Sequence, residues 1–450
     1  MRTLNIFNSS QAIVQKISSQ KEVDEQYRYW RKRILYTTFI GYAFYYFCRV
    51  NISMALPYMQ KDLHFNKFQL GLIVSVLQIT YGIGKFLNGI IADRSNPRYV
   101  MTIGLLCSGI ANLLFGFSSM LWTLAILWGL NGWFQSMGFP AGARLLSHWY
   151  TPKEYGKIWG IFGCSHQVGA AIIFIAGGYL VLLGWKYVFI VPSILAFVTA
   201  IFLFNRLRDI PENMGLPPVE EYKGEKLRSI APVRVKKSKF FNEALFKNVL
   251  SNKFVWLTAF GNMFLYIVRY GLVTWTPLFI SANKGVNVTK AGWVLAAFEL
   301  VGIAGMLLAG YISDKSFKAR RGPTMAIYMF LLGLCIFLFW ITPYGNTFLI
   351  ILILALSGFL VYGPLMLVSV AAATYAGKKS AASSSGFTGF WGYVGATISG
   401  FGVGGVAEYY GWKGAFMLIL LSAFLSALFF ALTWKATPSV DEQNSEVKTN

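Results

Sequence analysis

Charged side chains are scarce in this chain, and acidic ones are the scarcest. Only 13% of the 450 residues are charged, and 18 Asp and Glu residues stand against 40 Lys and Arg residues. Soluble domains carry about 25% charged residues. The four cysteines show neither paired nor metal-ligand spacing: Cys48, Cys107, Cys164 and Cys335. The composition therefore argues against a soluble domain, a disulfide framework and a cysteine metal centre.

Enzyme signatures are missing as well. Gly84-Lys85-Phe86 lacks the remainder of a nucleotide-binding Walker loop and lies in an apolar run. We can assemble neither a catalytic triad nor a metal cluster, so we expect no enzyme, no cofactor and no metal. Residues 1–33 contain no apolar core, and we therefore expect no cleavable signal peptide.

Long apolar runs are abundant instead, since 56% of the chain is hydrophobic and the mean hydropathy is +0.53. A run of about 20 apolar residues spans a bilayer as a helix, which satisfies every backbone group internally. We therefore predict an all-α polytopic membrane protein with twelve transmembrane helices. The predicted spans are 34–57, 69–91, 98–118, 121–146, 157–182, 186–206, 253–281, 291–312, 323–342, 347–374, 382–407 and 412–434.

The basic residues are distributed unevenly between the predicted loops. The termini and the loops on their side carry 30 of the 40 Lys and Arg residues, and the opposite loops carry six. This positive-inside pattern predicts that both termini are cytoplasmic. The net charge of +22 then reflects orientation and attraction to the lipid bilayer, and we do not expect nucleic acid as a partner.

Short motifs recur at a nearly constant distance of about 220–230 residues along the chain. Gly89 to Arg94, with Asp93, recurs as Gly310 to Lys315, with Asp314, and Gly184-Trp-Lys recurs as Gly411-Trp-Lys. The repeat predicts two six-helix halves of similar build. We place a cytoplasmic segment at 1–33, the halves at 34–206 and 253–435, a proline-rich linker with a short amphipathic helix near 238–248 at 207–252, and a tail at 436–450.

Two arginines, Arg49 and Arg269, lie inside predicted spans and are separated by the repeat distance, so they are repeat equivalents. An arginine stays charged in a protein, and placing it near the bilayer centre costs roughly 2.5–3.5 kcal/mol. Tyr42, Tyr46 and Arg49 share one helical face, as do Tyr266 and Arg269. Such charges indicate an anionic ligand, and the planar guanidinium fork matches phosphate best.

Several motifs resemble known transporters. The two parallel repeats and their polar linker resemble the major facilitator superfamily, whose signature is similar to Gly-x-x-x-Asp93-Arg94 and its Asp314 copy. We expect Asp93, Arg94 and Asp314 to form structural latches. The run from Gly132 through Gln135, Pro140 and Arg144 to Trp149 closely resembles the organophosphate:phosphate antiporter family. Similar matches include Ser165-His166, Tyr362-Gly-Pro364 and Thr388 to Tyr393.

The resemblance implies that Arg49 and Arg269 grip the phosphoryl group of the substrate. It adds seven residues to the binding pocket: Lys85, His166, Tyr42, Tyr46, Tyr266, Tyr362 and Tyr393. Glu299 is expected to balance charge in the second half. Alternatives remain at this point: an arginine paired structurally with Glu299, Lys85 extended to the cytoplasmic surface, His166 as an ordinary interior histidine, and tyrosines that only pack.

We therefore expect a monomeric antiporter in a bacterial inner membrane that exchanges a sugar phosphate, glucose-6-phosphate, for inorganic phosphate. Imidazole and phosphate monoesters both change protonation near neutral pH, so His166 is a candidate for coupling. The alternatives are a sensor of external hexose phosphate that acts on a membrane kinase, and a glycerol-3-phosphate antiporter. An exporter of hydrophobic cations needs an acidic pocket, which the two arginines disfavour.

Overall fold

The computed structural model describes residue 17 and residues 19–225, 246–377 and 380–436. Regular structure within these ranges is helical, and it includes fifteen α-helices. They are α1 Gln20–Phe47, α2 Ile52–Leu63, α3 Lys67–Arg94, α4 Pro97–Phe117, α5 Leu121–Gln135, α6 Gly138–Trp149, α7 Tyr155–Leu180, α8 Tyr187–Arg206, α9 Val219–Tyr222, α10 Lys253–Asn283, α11 Val288–Lys315, α12 Arg321–Ile341, α13 Thr347–Ala376, α14 Ala381–Tyr409 and α15 Gly411–Ala431.

Nine of the helical segments in the described ranges are long and apolar enough to cross a membrane. The remaining three predicted spans are not among these nine segments, because they are either divided or less apolar. The span at 34–57 is divided between α1 and α2, and the span at 121–146 is divided between α5 and α6. The third lies on α14, which is rich in glycine and serine and therefore less hydropathic. The helix predicted near 238–248 falls mainly outside the described residues, which include only a π-helical turn at Phe246–Leu250.

The chain divides into two compact units. As far as the structure describes them, unit 1 comprises Met1–Asn51, Thr80–Ile173 and Lys186–Arg234. Unit 2 comprises Ile52–Ile79, Phe174–Trp185 and Val235–Asn450. The long helices α3 and α7 contribute residues to both units, and the two halves inferred from the repeat remain a prediction.

In unit 1 the segment that follows α8 is anchored by Trp149, whose Nε1 donates to the carbonyl of Asp209 at 3.2 Å. The Asp209 side chain is 3% exposed, and neither carboxylate oxygen has a hydrogen-bond partner among the described residues. The pKa of Asp209 is raised to about 6, mainly by burial, with Arg144 opposing the shift and the charge of Glu212 adding to it. A buried carboxyl without donors is costly to ionise.

In unit 2 helices α3 and α14 approach closely through small residues. Ser75 Oγ donates to the Thr397 carbonyl and accepts from the Phe401 amide, each at 2.8 Å. Its hydroxyl therefore bonds to a backbone carbonyl and a backbone amide that are one turn apart on α14. A methyl group at Gly400 would overlap Ser75 Oγ. Glu408 accepts from the Lys67 backbone amide at 3.0 Å and from its Nζ at 3.2 Å. Small side chains are what permit such backbone proximity between membrane helices.

Helices α11 and α13, also in unit 2, are in reciprocal glycine contact. A methyl group at Gly305 would overlap the carbonyl oxygen of Phe359. A methyl group at Gly358 would likewise overlap the carbonyl oxygen of Phe298. Each helix therefore presents a glycine to the backbone of the other.

Candidate substrate-binding site

Arg49 lies in the short break between α1 and α2. The last turn of α1 tightens, since the Arg49 amide donates to the Tyr46 carbonyl at 3.1 Å. The Cys48 carbonyl is left outside the helical pattern, and it accepts from Asn112 Nδ2 at 3.0 Å and Asn131 Nδ2 at 2.7 Å. Because a buried carbonyl without a donor costs about 1–3 kcal/mol, these two amides stabilise the break.

The amides belong to a larger group of buried side chains, which we call the amide network: Asn51, Ser108, Asn112, Asn131 and Gln135. Asn51 Nδ2 donates to Asn112 Oδ1 at 3.0 Å, and Gln135 Nε2 donates to the Tyr45 carbonyl at 2.8 Å. Ser108 Oγ donates to Asn131 Oδ1 at 2.5 Å. Helices α4 and α5 thereby hold the backbone on both sides of Arg49.

The Arg49 side chain is buried among aromatic rings of unit 1. It is 5% exposed, and its Cζ lies 3.8 Å from the ring centroid of Tyr81 and 5.2 Å from that of Tyr46. At these distances the guanidinium makes cation–π interactions with both rings, and these interactions stabilise a partly desolvated charge. The Tyr42 ring lies 5.7 Å from that of Tyr46.

His166 joins the same group, and Lys85 lies beside Phe139, whose ring is 5.8 Å from that of Tyr42. The His166 ring lies 5.1 Å from the Tyr46 ring, and its Nδ1 lies 2.5 Å from the Gly163 carbonyl. A carbonyl only accepts, so Nδ1 carries a hydrogen. Lys85 is exposed, with its Nζ 5.9 Å from the Phe139 centroid. The pocket role of Lys85 and the alternative of an extension to the cytoplasmic surface both stay predictions.

Arg269 lies in the middle of the unbroken helix α10 in unit 2. Its Nη2 donates to the Tyr362 hydroxyl at 2.9 Å, and that hydroxyl donates to Glu299 Oε2 at 2.5 Å. The side chains of Arg269, Tyr362 and Glu299 are 6%, 1% and 1% exposed, respectively. The Tyr362 hydroxyl thus bridges a buried arginine and a buried glutamate by hydrogen bonds to both.

Two ring pairs occupy equivalent positions in the sequence repeat. In unit 1 Tyr46 contacts His166 at 5.1 Å, and in unit 2 Tyr266 contacts Tyr393 at 5.7 Å. Tyr46 and Tyr266 are separated by the repeat distance, and so are His166 and Tyr393. By the same spacing the neutral counterpart of Glu299 is Gln78. The ring pairs repeat, and the acid does not.

Some residues of this site were not predicted from the sequence. Tyr81, which faces Arg49, and Tyr270, whose ring centroid lies 4.8 Å from Arg269 Cζ, were not among the predicted pocket residues. Neither was the amide network. The sequence does show amide side chains one helical turn apart on apolar spans, such as Asn131 and Gln135. Their hydrogen-bond partners, however, come from distant parts of the chain and could not be assigned from this pattern.

The predicted latch residues lie at turns with defined contacts. Asp93 and Arg94 are exposed, and at this turn Arg144 Nη1 donates to the carbonyls of Ala92 and Ser95. The Asp314 carboxylate pairs with Arg321 Nη1 at 2.5 Å. The latch role stays a prediction for Asp93, Arg94 and Asp314, and the contact at the first of these turns comes from Arg144.

Long apolar helices with arginines buried among them are typical of a polytopic membrane protein with an internal polar site. A family model described as Major Facilitator Superfamily matches residues 38–400. The chain belongs to this superfamily and, within it, to the organophosphate:phosphate antiporter family that its motifs predicted. The superfamily match and the transporters among the relatives confirm the all-α, multi-pass membrane class and the expectation of a non-enzyme.

Three relatives span nearly the whole chain. A probable hexose phosphate transport protein of Chlamydia pneumoniae is 41% identical over 97% of both chains. A glycerol-3-phosphate transporter of Bacillus subtilis is 37% identical over 96% of this chain and 98% of its own. The membrane sensor protein UhpC of Escherichia coli is 38% identical over 92% of this chain and 94% of its own.

The fold is similar to that of a solved structure. A bacterial homolog of the human lysosomal transporter Spinster, solved in an inward-facing and unoccupied conformation, matches with a TM-score of 0.73. The match covers 90% of this chain and 97% of the other, at 16% sequence identity. At this identity the likeness shows the fold alone.

Proposed function

We propose that this chain is an antiporter of a bacterial inner membrane that exchanges glucose-6-phosphate for inorganic phosphate. The observation that carries the proposal is the pair of repeat-equivalent arginines, each buried among tyrosines in its own unit. The similarity to hexose phosphate and glycerol-3-phosphate transporters supports an organic phosphate as substrate.

Arg49 and Arg269 both donate to phosphoryl oxygens in this proposal. A guanidinium presents five N–H donors in a planar fork that fits phosphate, and the bound anion offsets the cost of burying the charge. Tyr362 and Glu299 hold Arg269 in unit 2, and Tyr81 and Tyr46 hold Arg49 in unit 1. The remainder of the substrate contacts the other predicted pocket residues: Tyr42, Tyr266, Tyr393, His166 and Lys85.

Exchange follows from the shared chemistry of the two substrates. Inorganic phosphate and a hexose phosphate present the same phosphoryl group, so one pair of arginines serves both. An empty transporter returns with two buried arginines and one buried acid, Glu299, so positive charge remains in excess, whereas a bound phosphate offsets that excess. We therefore expect coupled exchange by a monomer and not net uptake.

Counterflow into proteoliposomes tests the proposal. Vesicles loaded with phosphate should take up labelled glucose-6-phosphate, and unloaded vesicles should not. Arg49→Lys and Arg269→Lys keep the charge and lose the fork, so each should abolish uptake. Arg98→Lys is the matched control, because Arg98 is only partly buried and its Nε donates to the Phe204 carbonyl. Exchange near the wild-type rate in either clamp variant would contradict the mechanism.

The similarity to UhpC favours a second candidate, a membrane sensor of external hexose phosphate. A sensor binds the ligand but need not turn over. Binding of glucose-6-phosphate by the purified protein, without counterflow, would support sensing. The B. subtilis relative makes glycerol-3-phosphate the alternative substrate, and competition by each unlabelled phosphate ester in the same counterflow assay discriminates between them.

A further inference from the structure

Unit 1 contains a cavity of about 320 Å³ that the transport mechanism does not use. It lies where the first turns of α1 meet Tyr150 after α6 and the segment around α9. We call it the Arg31 cavity, and it is lined by three tyrosines and four cations: Tyr27, Tyr150, Tyr222, Arg28, Arg31, Lys32 and Lys223. None of these lining residues, all in the described part of the chain, is acidic.

The Arg31 guanidinium is held by two neighbours in the cavity wall. Its Nη2 pairs with Glu154 at 2.5 Å, and its Cζ lies 4.4 Å from the Tyr150 ring centroid, so the guanidinium is fixed. Its Nε is buried and has no acceptor among the residues that the structure describes. The carboxylate of Glu154 also accepts from the Thr151 amide at 3.1 Å, so it is bound on both sides. Arg31 is therefore a permanent positive charge held in place in the cavity wall.

Three further cations line the cavity and are exposed: Arg28, Lys32 and Lys223. Acidic side chains lie near the lining set without being part of it: Glu225 pairs at 3.4 Å with Lys153, Asp24 is close to Tyr222, and Glu212 and Glu220 are close to Tyr27. The positive charges of the cavity are therefore arranged around an opening that fits an oxyanion able to accept several hydrogen bonds, and phosphate is the matching group.

The tyrosine walls leave little capacity to recognise sugar hydroxyls. Tyr27 and Tyr222 stack with centroids 3.9 Å apart, and the Tyr27 hydroxyl donates to the Pro217 carbonyl at 2.5 Å. The Tyr150 hydroxyl donates to the Arg31 carbonyl at 2.7 Å. With these two hydroxyls bonded to backbone, the walls offer ring faces and cations. This suits a phosphodiester with apolar neighbours better than a free sugar phosphate.

The cavity also lies close to the predicted membrane boundary. The first predicted span begins at residue 34, so Arg28 and Lys32 lie about 9 and 3 Å from it along α1. Tyr29 and Tyr36, on either side, are 50% and 41% exposed, as is usual for aromatic residues at a bilayer interface. We propose that the Arg31 cavity binds the phosphate of an anionic phospholipid, which thereby joins α1 to the linker segment around α9.

Native mass spectrometry of the full-length protein in neutral detergent tests this proposal. Phosphatidylglycerol should bind at one saturable site, and phosphatidylcholine should not. Arg28→Gln combined with Lys223→Gln removes two exposed cations and keeps the Arg31–Glu154 pair. Each cation near an anionic lipid is worth about fivefold in affinity, so binding should weaken about 25-fold.

The matched control is Lys290→Gln combined with Lys413→Gln, which removes two exposed cations of unit 2. It should leave phosphatidylglycerol binding unchanged. Equal weakening in both double variants would mean diffuse surface attraction and would overturn the proposal. Displacement of the lipid by millimolar inorganic phosphate or glucose-6-phosphate would identify a soluble ligand and overturn the lipid assignment. Both readouts are independent of transport.

Discussion

The amide network makes a quantitative prediction for Asn112→Leu. Asn112 makes two hydrogen bonds with neighbouring segments, donating to the Cys48 carbonyl at 3.0 Å and accepting from Asn51 at 3.0 Å. Such bonds between membrane helices average about 0.6 kcal/mol each, so the variant should lose about 1.2 kcal/mol of folding free energy. Leucine has the same side-chain branching and as many heavy atoms as asparagine, so no cavity term is added.

The remaining partners keep this cost small. The Cys48 carbonyl retains Asn131 at 2.7 Å, and Asn51 retains the Val188 carbonyl at 3.0 Å. If the network orients Arg49, the conformation of the α1–α2 break that binds phosphate is also destabilised by about 1.2 kcal/mol. Phosphate affinity should then weaken by up to about eightfold. The assay is thermal melting in detergent, with and without a phosphate titration, which reports stability and affinity in one experiment.

Asn88→Leu is the matched control. Asn88 Nδ2 donates to the Trp133 carbonyl at 3.1 Å and to Ser136 Oγ at 2.6 Å, away from the break after α1. Loss of these two hydrogen bonds in Asn88→Leu should lower the free energy of unfolding by a similar amount and leave phosphate affinity unchanged. If Asn112→Leu and Asn88→Leu destabilise equally and both bind phosphate like the wild type, the network only supports the fold. The inference that it positions Arg49 would then be wrong.

Contacts outside this network give three further predictions. Tyr362→Phe removes the hydroxyl between Arg269 and Glu299, so the carboxylate competes more directly with phosphate, and the KM for phosphate in counterflow should rise about tenfold. Tyr328→Phe, whose buried hydroxyl has no partner among the described residues, should not change it. Ser75→Ala removes two bonds to α14 and should cost about 1 kcal/mol in thermal melting, with unaltered helix content by circular dichroism. The raised pKa of Asp209, about 6, means that the folded protein binds a proton between about pH 4 and 6 that the unfolded chain releases, so stability falls as pH rises through this window. Asp209→Asn should be about 3 kcal/mol more stable than wild type at pH 7 and equal to it near pH 4; a constant difference across melting curves at pH 4–8 would contradict this.

The sequence predicted the parts of the structure that depend on local chemistry. Apolar runs indicated the helices, and two permanent charges inside them indicated Arg49 and Arg269. The break after Phe47 was not predicted, because residues 34–57 form one apolar run and nothing local ends the helix. The donors that satisfy the freed Cys48 carbonyl, Asn112 and Asn131, are carried by α4 and α5, far from the break in the sequence.

Aromatic residues show the same limit. Tyr46 and Tyr266 could be assigned to the arginines by helical spacing, since they lie one helical turn before Arg49 and Arg269. Tyr81 comes from another helix, and its ring contact with Arg49 depends on how α1 packs against α3 within unit 1. A tyrosine on an apolar helix fits packing and binding equally well until its neighbours are known.

The two glycine contacts between α11 and α13, made by Gly305 and Gly358, limit which suppressor mutations can arise in this protein. Each glycine meets a backbone carbonyl, at Phe359 and at Phe298, and every amino acid carries that carbonyl. A defect caused by alanine at Gly305 therefore cannot be relieved by a smaller side chain at Phe359. Revertants should restore glycine itself or loosen the α11–α13 crossing at other positions, so compensating substitutions should be absent from the contact pair.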